Sequence, residues 1–218
     1  MPDFDLLRDN LIKQAETVLQ PGTAILIECA FEAETSAAAA DFLGGLIQNF
    51  NECAENGKPL REGGYEVFDM FVPTPTGDAD MLAVGLLTDA TTEAETVEKS
   101  DQRPGTDGFI KNAAQRAAAI DLKKFAPAII GVGVAATQDE ARLLARTAMF
   151  RQPDKHSQDD ATAECERRIL AMINRTGPGA GGFGGGHTAL AVSIEQTGAG
   201  FTAICPGDYF TRTASGKL

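Results

Sequence analysis

Residues 128–151, AIIGVGVAATQDEARLLARTAMFR, decide the fold. The first seven, residues 128–134, form a short continuous apolar run, which predicts a buried strand. Thr137 then offers a capping hydroxyl, Asp139 and Glu140 place acids in the first turn, and helical spacing predicts a helix over residues 138–151. A strand leading into a capped helix is one step of an alternating βα pattern. Gly131 and Gly133 inside that strand admit a close neighbour, either a ligand or a helix packed tightly against the strand.

The pattern continues in both directions. Upstream, helices are predicted over residues 5–19, 35–55 and 109–124, with strands over residues 23–31, 65–72 and 81–87. Downstream, Ser157 is the expected cap of a helix running to about Asn174, and strands are expected over residues 188–195 and 201–205. Between them, residues 88–108 are polar and acidic without hydrophobic periodicity and predict a long surface loop. The expected fold class is α/β, or mixed α+β, with helices packed on a mixed sheet in one compact unit over residues 1–218.

The formal net charge of −12 repels phosphate backbones and anionic membrane faces, so nucleic acid and membrane are excluded as partners. No apolar run approaches the roughly 20 residues that span a bilayer, and the acidic N-terminus does not resemble a signal peptide. A cytoplasmic location is expected. Cys29, Cys53, Cys165 and Cys205 are widely spaced, without a CxxC pair, so no metal site is expected from local ligands. They read as reduced thiols, partly in the core; Cys205 is the candidate if one of them is reactive.

Residues 177–186, GPGAGGFGGG, hold seven glycines in ten positions, a backbone costly to order unless something stabilises it. Either a ligand approaches it or it is a flexible loop. It contains a literal GxGxxG, but a helix precedes it and a strand follows, the reverse of the dinucleotide-binding arrangement. His187 follows at once, where a neutral imidazole can transfer protons near neutral pH, and Thr188 opens the next strand. Near the C-terminus Cys205, Asp208, Tyr209 and Arg212 lie close together, and the Arg212 guanidinium suits a carboxylate.

Two blocks together resemble one family. Pro127-Ala128-Ile129-Ile130-Gly131-Val132-Gly133, followed by Glu140-Ala141-Arg142-Leu143-Leu144-Ala145, is similar to the segment after the Cys-Pro-Pro motif in class I fumarases and L-tartrate dehydratase alpha subunits. Residues 181–195, GGFGGGHTALAVSIE, are similar to that family's later glycine-rich segment. The resemblance spans roughly residues 125–214. It implies a hydro-lyase scaffold, and in that family a [4Fe-4S] cluster held by three cysteines binds a hydroxy-dicarboxylate as a Lewis acid. This sequence departs from that ligand set. Phe125 stands at the cysteine of Cys-Pro-Pro, no Cys-Gln-Asp-Thr-Gly motif is present, and Tyr209 falls at the last ligand position.

Resemblance and departures together imply a diverged lyase, hydratase-like, that takes a small anionic metabolite without the [4Fe-4S] cofactor. His187 and Asp208 are the catalytic candidates; Gly184, Gly185, Gly186, Thr188 and Arg212 are the substrate-binding candidates, and no metal ligand is assigned. The resemblance also implies a beta-type partner subunit, with a homo-oligomer as the other option. The alternative function is a non-catalytic ligand-binding or regulatory subunit on the same scaffold.

Overall fold

The computed structural model describes residues 25–32, 65–72, 79–125, 127–179, 182–208 and 212–217. The helices expected over residues 5–19 and 35–55 lie outside them. Contacts divide the chain into two compact units, one of Met1–Asp89 with Phe210–Leu218 and one of Ala90–Tyr209. In the first, β1 (Ile25–Glu32), β2 (Tyr65–Val72), β3 (Ala79–Thr88) and β8 (Arg212–Lys217) form a sheet ordered β2-β3-β1-β8. Its β1–β8 pair is parallel and the other pairs are antiparallel. Strand β8 was not anticipated from sequence.

The second unit opens with α1 (Asp89–Ala94) and β4 (Thr96–Ser100), continues through α2 (Asp107–Ala119) and a 3-10 turn (Leu122–Lys124), and reaches β5 (Ala128–Ala135). Then come α3 (Gln138–Met149), α4 (Asp160–Thr176), β6 (Ala189–Gln196) and β7 (Gly200–Asp208). The sheet order is β4-β7-β5-β6, with β5–β6 parallel and the rest antiparallel. Helices packed on a mixed sheet make this an α/β fold.

Central strand β5 is buried at every position. Its alternate side chains Ala128, Ile130, Val132 and Val134 join Phe109, Ala113 and Ala117 of α2 and Cys165, Ile169 and Ile173 of α4 in one core. The opposite face meets α3. A Cβ on Gly131 would overlap the Ala145 carbonyl oxygen and lie 2.6 Å from the Met149 nitrogen; one on Gly133 would overlap the Ala141 carbonyl. The two glycines therefore admit a helix backbone, and the helix answers with Ala141, Ala145 and Ala148, all fully buried. Of the two readings open at these glycines, close helix packing is the one found.

Thr137 caps α3 as expected, its hydroxyl accepting from the Glu140 N–H at 3.3 Å. At α4 the cap is Asp159 and not Ser157: the Asp159 carboxylate accepts from the Thr162 N–H at 2.8 Å and from its hydroxyl at 2.7 Å. Those bonds hold the Asp159 carboxyl below its usual range. Ser157 acts one step earlier, accepting from the Asp159 N–H at 3.2 Å.

The acidic loop expected over residues 88–108 is in fact α1 followed by β4, and an irregular connection remains only at residues 101–106. Thr96 to Ser100 pair with Ile204 to Gly200 as an edge strand. An edge position tolerates charged residues such as Glu98 and Lys99, so the local polarity gave no strand signal. At the far end, β7 runs past Pro206 to Asp208. Ile204 is the last β7 residue paired with β4, so Pro206 sits where β7 is itself an edge.

Candidate functional site

The glycine-rich segment leaves the C-terminus of α4 and returns into β6, and its ends are fastened by two side chains, Asn174, which the sequence did not point to, and Thr188, which was expected to bind substrate. Asn174, near the end of α4, accepts the N–H groups of Thr188 and Ala189 at 2.8 Å each and donates to the Ala189 carbonyl at 3.0 Å. The Thr188 hydroxyl accepts from the Gly179 N–H at 3.0 Å, and a Cβ on Gly177 would overlap that hydroxyl. Within the loop Gly182 donates to the Gly179 carbonyl and Gly184 to the Pro178 carbonyl. The result is a compact loop with joined ends.

Its tip is different. Gly184 and Gly185 have φ of +85° and +103°, the left-handed region that glycine enters without penalty. Gly184, Gly185 and Gly186 are exposed, and a Cβ on any of them would meet nothing within 4 Å. Phe183, between them and Gly182, is 96% exposed. His187 is exposed where the loop re-enters the fold, whereas Thr188 is buried and spends its hydroxyl on loop closure.

Strand register brings more to this end of the sheet. Ala128 pairs on one side with Ala189 and on the other with Asp208, and donates to the Thr188 carbonyl at 3.1 Å. Asp208 and Ala189 therefore stand two strand spacings apart, about 10 Å between backbones. The glycine loop, His187, Thr188 and the end of β7 lie at the same end of the second unit's sheet. Arg212 opens β8, a strand of the first unit, paired in register with Ile25.

Beside the loop lies Lys123, from the 3-10 turn. Its Cδ, Cγ and Cε would be 3.1, 3.3 and 3.4 Å from a Cβ on Gly182, so its carbon stem runs along that glycine. No sequence signal pointed to Lys123 or Asn174, because each acts through a tertiary contact.

The outer edge of β6 is closed by charge. Glu166, 1% exposed, accepts from the Ile194 N–H at 2.9 Å, from Arg151 at 2.5 Å and from the Ser157 N–H at 3.1 Å. Arg151 also donates to the Ile194 carbonyl at 2.9 Å and to Glu195. Burial alone would weaken the guanidinium's hold on its proton, but pairing with Glu195 and Glu166 outweighs it and raises the Arg151 pKa. This pair takes the place of a neighbouring strand, with a carboxylate on the N–H and a guanidinium on the carbonyl of one residue.

Among the residues whose side chains are described, the cysteines are Cys165 and Cys205, and both are buried. Phe125, which the resemblance sets against a family cysteine, is 2% exposed and lies in the core. Cys205 is fully buried on the α3 side of the sheet, its sulfur 3.9 Å from that of Met149. Cys165 is buried too, and burial pushes its thiol up, against a hydrogen bond from the Gly105 backbone. Among the described residues no group of three or more His, Cys, Asp or Glu side chains is placed to hold a metal ion. Among them also, no helix is long and apolar enough to cross a membrane.

An α/β unit that carries a glycine loop into the N-terminal end of a parallel strand pair defines the class of scaffold. The fumarate hydratase (Fumerase) family matches residues 88–206, more than half of the chain, and the chain belongs to that family of hydro-lyases. The matched span nearly coincides with the second unit. It also reaches upstream of the two resembling blocks, into α1 and β4. An L(+)-tartrate dehydratase subunit alpha from Escherichia coli is 26% identical over 169 residues, covering 71% of this chain and 56% of that protein. A Methanocaldococcus jannaschii protein, described as a candidate L(+)-tartrate dehydratase subunit alpha, is 40% identical over 72 residues, or 33% of this chain and 25% of its own. The chain thus matches between a quarter and just over half of the length of these curated relatives.

Proposed function

We propose that the chain is a diverged hydro-lyase whose second unit binds a small carboxylate, of the hydroxy-dicarboxylate type, at the glycine-loop end of its sheet. One observation carries this reading: the family-matched unit gathers an open glycine backbone, His187 and the end of β7 at Asp208 at a single end of its sheet. Adding or eliminating water next to a carboxylate requires a base for the carbon-bound proton and donors for the charge that develops. His187 takes the first role, with Asp208 as the second acid–base group. The backbone of Gly184, Gly185 and Gly186 takes the second, on a loop that Thr188 holds closed. The site so proposed is confined to the second unit, and Arg212 is left out of it.

The chemistry in this reading runs without a [4Fe-4S] cluster, which Phe125 in the core and the buried Cys205 support. Relatives described as alpha subunits support a beta-type partner chain that completes the enzyme, in preference to a second copy of this chain.

The same placement of Phe125 favours a second reading, a ligand-binding or regulatory subunit that kept the scaffold without the reaction. Turnover of fumarate, malate and tartrate separates the two. The lyase reading expects hydration or dehydration that disappears in His187→Ala; turnover unaffected by that substitution overturns the acid–base role of His187, and no turnover with the partner present overturns the lyase reading. Binding without turnover, in the presence of the partner, supports the subunit reading. Iron and sulfide in stoichiometric amounts after anaerobic purification would overturn the cluster-free proposal.

A further inference from the structure

We propose that Lys123 supplies the positive charge that meets the carboxylate at the glycine loop, working together with the backbone N–H groups of Gly185 and Gly186. The inference rests on the carboxylate-binding reading above and names the group that makes that site cationic in a protein of net charge −12.

Three observations converge. First, the Lys123 stem lies along Gly182, with Cε 3.4 Å from where a Cβ would stand, so the ammonium, one bond further on, is at the loop. A Cβ at position 182 would press on the stem and require it to give by a few tenths of an ångström. Second, Lys123 is presented from a fixed base. Leu122 and Phe125 on either side are 3% and 2% exposed, and the turn is closed by Lys124 N–H to the Asp121 carbonyl and Phe125 N–H to the Leu122 carbonyl. No carboxylate among the described residues pairs with the Lys123 ammonium. Third, the loop spends the N–H groups of Gly179, Gly182 and Gly184 internally, while those of Gly185, Gly186 and His187 have no acceptor among the described residues. Consecutive N–H groups without an internal acceptor are donors available to an anion, and a lysine beside the loop adds a mobile charge with three further donors.

The adjacent lysine supplies a control. Lys124 lines a different cavity, of about 310 Å³, together with Glu93, Thr96, Arg116 and Asp121. It shares the turn and the charge of Lys123 but not the contact with Gly182.

Calorimetric titration of the full chain with fumarate, L-malate and L-tartrate, repeated at two salt concentrations, tests the proposal on wild type, Lys123→Ala, Lys123→Arg and Lys124→Ala. A charge-assisted contact at this position predicts about tenfold weaker binding in Lys123→Ala, with a reduced salt dependence. Lys123→Arg retains most of the affinity and Lys124→Ala matches wild type. Unchanged affinity in Lys123→Ala, with wild type binding, overturns the role of Lys123 and leaves the carboxylate site standing. Equal losses in Lys123→Ala and Lys124→Ala also overturn it, because only general charge would then matter. If wild type binds none of the three acids, the carboxylate reading itself fails and the inference falls with it.

Discussion

The glycines of β5 and those at the tip of the 177–186 segment are the same residue serving opposite ends. At Gly131 and Gly133 the missing side chain is filled by the backbone of α3, and the strand is buried at every position. At Gly184, Gly185 and Gly186 the missing side chain is filled by nothing, and the backbone itself is presented to solvent. The first set brings a helix and a sheet together. The second keeps N–H groups accessible on a loop whose ends are fastened by Asn174 and Thr188. The difference shows why a glycine count cannot tell packing from binding: what decides is the atom that occupies the space a Cβ would take.

The largest test of that contrast is Gly131→Ala. Its Cβ would overlap a helix carbonyl, which can move only if α3 lifts from the sheet, so a loss of about 3 kcal/mol or more is expected from overpacking against backbone. Urea denaturation measures it, and a near-neutral outcome would break the packing half of the comparison. Next in size is Asn174→Ala, which leaves the Thr188 and Ala189 N–H groups and the Ala189 carbonyl without their partner. A loss of about 2–3 kcal/mol is expected. Hydrogen exchange should accelerate at Thr188 and Ala189 and remain slow in the centre of β5; uniform acceleration would mean that Asn174 supports the whole unit and not the loop's closure.

Much of the packing half was legible in the sequence. The apolar run at residues 128–134 and the Thr137 cap are local signals, and β5 and α3 follow them within one or two residues. Where two local signals competed, reading failed: Ser157 and Asp159 are both capping residues, and only the helix's actual first turn, with Thr162 bonded to Asp159, separates them. Residues 96–100 became a strand because β7 offered an edge, a partner a hundred or more residues away that no local pattern encodes. The loop half was legible as composition but not as geometry. The run of glycines with His187 and Thr188 marked the place, whereas the fastening by Asn174 and the approach of Lys123 depend on the sheet order that brings the start of β5 beside β6. The two resembling blocks named the family, and its matched span extends into the acidic stretch read as a loop.

The smallest expected effects lie at the tip, where two neighbouring glycines make opposite predictions. Gly185 has φ of +103°, so Gly185→Ala forces an L side chain into the left-handed region and should cost about 1 kcal/mol although the space around it is empty. Gly186 has equally open surroundings but no positive φ, so Gly186→Ala meets neither strain nor contact. It also restricts the unfolded chain, and should be neutral or stabilising by up to about 1 kcal/mol. A thermal melt of the two variants side by side checks this, because both remove a glycine from the same loop and differ only in backbone angle. Equal losses would mean that the tip packs against something, and the comparison with β5 would lose its meaning. A loss at Gly185 alone sharpens it: the tip glycines then serve conformation, and any fall in carboxylate affinity in the stable Gly186→Ala protein reports on the exposed backbone itself and not on the stability of the fold.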